Sequence, residues 1–145
     1  MRYFLDTEFN GFGGELVAIA LVPETEEAPP FYEAVDCAAP VAWISAHVLP
    51  VLRTKQRPLI VVARLFAEYL ATDATPIVIA DWPEDIAHAA SLLTNGQGER
   101  LLHTSVRFEL LQVSDFGSEA RSEVPHNAYY DALALRDWAL SQSTS

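Results

Sequence analysis

Apolar positions along the chain follow two rhythms, short runs suited to strands and longer stretches at helical spacing. Arg2 to Asp6 is a short apolar and aromatic run that predicts a central strand, and Gly11, Gly13 and Gly14 predict the turn after it. Glu15 to Val22, with Leu16, Val17, Ile19, Leu21 and Val22, predicts a second strand antiparallel to the first. The acidic, proline-rich Pro23 to Pro30 reads as a solvated turn, and Phe31 to Val35 as a third strand. Ala38 to Leu52 then places Val41, Ile44, Val48 and Leu52 at helical spacing, with Pro40 tolerated in the first turn and Pro50 ending or kinking the helix. Leu59 to Leu70 repeats the helical pattern.

The second half alternates. Ile77 to Ala80 is apolar on both faces, as a parallel strand buried between helices must be. Asp81 to Asp85 leads into a helix over Ile86 to Leu93, which the turn from Asn95 to Gly98 closes. Val106 to Val113 predicts a fifth strand, Ser114 to Val124 a polar surface loop, and Tyr129 to Ser141 a helix carrying Ala132, Leu135 and Trp138. Three strands in hairpin succession followed by helix, strand, helix, strand, helix predict an α/β domain. Its sheet would be mixed and five-stranded, a three-stranded antiparallel meander plus two parallel strands flanked by helices. With 145 residues, half of them hydrophobic, the chain suits one domain over 1–145.

Charge complicates the functional reading. Nine Lys and Arg against 20 Asp and Glu give a formal net charge of −11, whereas a protein that holds nucleic acid by its phosphates is normally basic. Bound divalent cations would offset that charge at the place where a phosphate must sit, which suits a short substrate. Arg53, Lys55, Arg57 and Arg64 form a locally basic stretch, read either as a solvated surface or as a phosphate contact. The single Cys37 excludes an internal disulfide and a cysteine-based zinc site. No run of about 20 apolar residues occurs, and Asp6 and Glu8 interrupt any leader-like start, so a cytoplasmic protein with no membrane partner is expected.

The candidate chemistry lies at the two ends. Asp6 and Glu8 are one residue apart on a strand, so both side chains leave the same face. His126 and Asp131 stand at the start of the last helix. If the fold joins the ends, these oxygens can hold two hard divalent cations. Asp6-Thr7-Glu8 and His126-Asn127-Ala128-Tyr129-Tyr130-Asp131-Ala132 resemble the first and third motifs of the DEDD 3′–5′ exonucleases, in the histidine subgroup of that ribonuclease H-like family. Ile79-Ala80-Asp81-Trp82-Pro83-Glu84-Asp85 fits the register of the middle motif, with Asp85 at the family's aspartate and Asp81 as the competing assignment. The opening Asp-Thr-Glu-Phe is similar to the small mycobacterial-type 3′–5′ exoribonuclease group.

The resemblance implies a ribonuclease H-like fold and a two-metal-ion hydrolase that releases nucleoside 5′-monophosphates from single-stranded 3′ ends, RNA favoured over DNA. Asp6, Glu8, Asp85 and Asp131 would hold two Mg²⁺ or Mn²⁺ ions, the oxygen-only set pointing to those metals. His126 would be the general base, taking a proton from the metal-bound water. Thr7, Phe9 and Trp82 would touch the substrate, with Phe12 a further candidate for base stacking. A homodimer is compatible with the resemblance, with Trp43 and Trp138 on helices. Two other classes stay open: a catalytically inactive module that binds metal or a partner through the same scaffold, and a phosphatase-like enzyme using Asp6 as nucleophile. His47, His88 and His103 read as surface or partly packed residues.

Overall fold

A computed structural model describes residues 1–113, 116–117 and 121–143. Its strands are β1 (Arg2–Phe9), β2 (Leu16–Pro23), β3 (Phe31–Val35), β4 (Gln56–Arg57), β5 (Ile77–Ala80) and β6 (Arg107–Leu110). The helices are α1 (Ala42–His47), α2 (Leu59–Leu70), α3 (Pro83–Ser91) and α4 (Ala128–Gln142), with a turn of 3₁₀ helix over Leu49–Val51. The sheet has six strands in the order β4-β3-β2-β1-β5-β6. β1, β2 and β3 form the expected antiparallel meander, while β5 runs parallel to β1 and β6 parallel to β5.

The sixth strand corrects the expected count of five. Gln56 and Arg57 pair parallel with Ala34 and Val35, and the Gln56 amide also donates to the Val35 carbonyl at 3.0 Å. Two polar residues carry no periodicity, so pattern reading passes over them; their effect is to cover the open edge of β3. The helix expected over Ala38 to Leu52 is also shorter. Only Ala42–His47 is α-helical, and Pro50 turns the chain into the 3₁₀ segment instead of continuing it. α3 begins at Pro83 rather than Ile86, because proline at the first helical position needs no N–H partner. The loop expected over Ser114 to Val124 falls partly outside the described residues.

Alternation along β1 divides the core. Tyr3 and Leu5 face α2 and α3, packing with Val62, Phe66, Leu70 and Ala89. On the other face Phe4 meets Ile79 and Leu135 of α4. Beside it Ala18 and Ala20 of β2 join Ile44 and Val48 from the α1 region, and Ala128 and Ala132 of α4. Ala18 and Ala20 pair in register with Glu8 and Asp6, so the smallest side chains of the sheet neighbour the two acids. That alanine seam lets α4 approach the sheet closely. Among the described residues, no helix is long and apolar enough to cross a membrane.

Candidate metal centre

Asp6 and Glu8 stand on the face of β1 that α4 covers, and Asp131 is the fourth residue of that helix. One carboxylate oxygen from each of the three lies within 4.8 Å of the others, which makes a group able to hold a metal ion. Asp6 Oδ2 and Asp131 Oδ1 are buried and accept no hydrogen bond from the described residues. A buried acceptor left unpaired costs about 1–3 kcal/mol, and more when charged. Three acids converging on such atoms fit a cation, which would supply the missing partner to both.

The electrostatics agree with that fit. Burial, then the carboxylates of Asp85, Glu8 and Asp131, hold Asp6 well above the ordinary carboxylate range. Glu8 is pushed up to about 8 by burial and by the charges of Asp131 and Asp85. Burial also raises Asp131 and Asp81. Asp85 is lifted to about 7, burial outweighing the hydrogen bond from Thr7 that pulls it down.

Asp85 sits outside the trio. Its side chain is buried and accepts from Thr7 Oγ at 2.6 Å, so residue 7 of the strand holds the middle carboxylate from the α3 side. The earlier start of α3 puts Asp85 in the third helical position, not at the cap; the cap residue is Trp82, which makes no side-chain cap bond. Asp81 stays half-buried before the helix.

The N-terminus of α4 is built by Asn127, 1% exposed. Its carbonyl oxygen accepts from the N–H groups of Tyr129 and Tyr130, and its amide donates to the carbonyls of Val51 at 2.7 Å and Leu52 at 3.3 Å. His126, just before it, takes a left-handed φ of 68° and donates its backbone N–H to Asp131 Oδ2 at 3.1 Å. Asn127 received no role from the sequence, although a polar residue directly before a helical run is the usual signature of an N-cap. Its anchoring fixes where Asp131 and His126 stand.

A groove of about 420 Å³ opens beside these acids, lined by Thr7, Glu8, Phe9, Phe12, Val41 and Trp43 among others. Phe9 stacks on His88 with centroids 5.2 Å apart, and Phe12 is 88% exposed at the tip of the β1–β2 turn. That turn is pinned on two sides, since Asn10 accepts from the Val41 N–H at 2.8 Å and Glu84 accepts from the Gly13 N–H at 3.1 Å. Trp82 is exposed and lies outside the groove lining. A larger cleft of about 830 Å³ between α2 and α3 contains none of the trio.

No protein-family model matches the chain, and no curated protein matches it. The site therefore rests on its own residues. Trp43, read from the sequence with a possible homodimer, and His47, read as a surface or partly packed residue, instead gather their rings around His126. The basic stretch is dispersed by contrast: Arg57 pairs with Glu33 at 3.2 Å, and the Arg53 guanidinium lies 5.6 Å over the Tyr130 ring.

Proposed function

We propose that this protein is a metal-dependent 3′–5′ exonuclease acting on single-stranded nucleic acid, RNA in preference to DNA, and releasing nucleoside 5′-monophosphates. The observation that carries the reading is the pair of buried oxygens on Asp6 and Asp131 that accept no hydrogen bond from the described residues, clustered with Glu8 at the mouth of an aromatic groove. The sheet supports it too, since the meander with two parallel strands beyond β1 is the arrangement implied by a ribonuclease H-like domain. Asp6, Glu8 and Asp131 would hold the first of two Mg²⁺ or Mn²⁺ ions, and Asp85 would contribute to the second.

Divalent ions held there would supply acidification of the attacking water and stabilisation of charge on the leaving 3′ oxygen. His126 accepts the proton of that water, and the bond from its backbone N–H to Asp131 ties base and acid together. Phe9 and Phe12 offer faces on which unpaired bases stack, a contact indifferent to sequence. Thr7 keeps Asp85 in place from beneath the strand.

The test is incubation with Mn²⁺ or Mg²⁺ and matched 5′-labelled RNA and DNA oligonucleotides. The expected result is a ladder shortening from the 3′ end, faster on RNA, absent with EDTA and absent in Asp6→Asn. No product with any metal would leave the inactive metal-binding module, and full activity in Asp6→Asn would remove the assigned centre.

A further inference from the structure

The rings on α1 point to a role for a residue outside the acidic cluster. Trp43 and His47 are four residues apart on α1, so both side chains leave one face. The Trp43 indole meets the His126 imidazole edge to face, with centroids 4.9 Å apart and planes at 80°. His47 closes the group, 5.0 Å from Trp43 and 6.0 Å from His126.

This arrangement is held from both sides. Ile44 and Val48 are buried in the same core cluster as Ala128 and Ala132, and the Asn127 amide bonds the Val51 and Leu52 carbonyls just beyond α1, which fixes the α1 segment beside the first turn of α4. Asn10 secures the approach to α1 by accepting from the Val41 N–H and donating to the Ala39 carbonyl at 3.0 Å. Trp43 itself is 48% exposed and borders the groove next to Glu8, so packing of the core does not account for a tryptophan there. His126 meanwhile adopts a backbone conformation that an L-residue keeps only when its surroundings enforce it.

We infer that Trp43 is a positioning residue whose indole holds the His126 imidazole in the orientation from which it takes the proton of the attacking water. The inference rests on the nuclease reading for its catalytic meaning. It makes α1, which contributes no acid, part of the machinery.

The test compares wild type, Trp43→Ala, His126→Ala and the double variant on single-stranded RNA with Mn²⁺. Trp43→Ala is expected to lower kcat about 10- to 100-fold with KM nearly unchanged, as misplacement of a reacting group does. In the His126→Ala background it should cost nothing further, and Trp43→Phe should recover most of kcat. A loss confined to KM, or an equal loss with and without His126, would make Trp43 a substrate-stacking surface or a mere scaffold and overturn the inference. NMR of the histidine ring protons supplies a readout that needs no activity. His126 resonances should be displaced by the indole ring current in wild type and lose that displacement in Trp43→Ala, and an unchanged position would sink the proposal. Wild-type protein inert with every metal would overturn the nuclease reading separately, the ring-current shift still deciding whether Trp43 sets the imidazole.

Discussion

Asp6 and Asp131 each bury an oxygen that no described donor satisfies, and Glu8 adds a third charge to the same space. Without a cation the simplest relief is protonation, which is why burial and mutual repulsion raise these groups together. For Glu8 the folded form takes up a proton between its ordinary value of 4.5 and about 8. The folded state thus binds more protons than the unfolded one across that window, so stability is fully present below it and falls as pH rises through it. In EDTA, Tm is expected to decrease from about pH 5 to about pH 8, a window set by Glu8. Mn²⁺ at the upper end should restore Tm, and Asp6→Asn should flatten the decline. A profile in EDTA that does not fall would show that the acids are not crowded as described. Asp6 and Glu8 were legible because strand alternation places positions 6 and 8 together whatever the rest of the chain does, and Asp131 through the resemblance of its helix start to a known motif. Trp43 and His47 were not, since no local pattern joins α1 to a histidine about 80 residues on; only the fold does.

At the level of elements, the site depends on how closely α4 lies on the sheet. Ala18, Ala20, Ala128 and Ala132 are all fully buried, and a larger side chain among them would force the layers apart. Ala132→Leu is expected to cost about 1–3 kcal/mol by overpacking. It should also abolish the stabilisation that metal confers, because Asp131 is carried away from Asp6 and Glu8. Urea denaturation with and without Mn²⁺ checks both, and a variant that keeps the full metal effect would disprove the seam's role. Strongly periodic elements were readable, α2 over Leu59–Leu70 and β3 over Phe31–Val35 matching the expected spans. The misses occurred where a single residue overrides periodicity. Pro83 starts α3 early, the Pro50 turn truncates the helix before it, and β4 is a pair of polar residues recruited by a neighbouring edge.

Across the molecule, a net charge of −11 and the commitment of Arg57 to Glu33 leave little positive surface for tracking a phosphate backbone. On the proposed nuclease reading, substrate affinity should then depend weakly on salt. The logarithmic slope of 1/KM against salt is expected to be shallower than about −2, corresponding to only two or three phosphate contacts on a single strand. A slope steeper than about −3 would reveal a basic track that the fold does not display. The trio also draws its members from the first strand and the last helix of the described chain. A cation shared between β1 and α4 would therefore act as a removable tether that closes the chain between Glu8 and Asp131 into one loop, a geometry the unfolded chain cannot offer. Chelation would cut that tether, and α4 would become the place where unfolding starts.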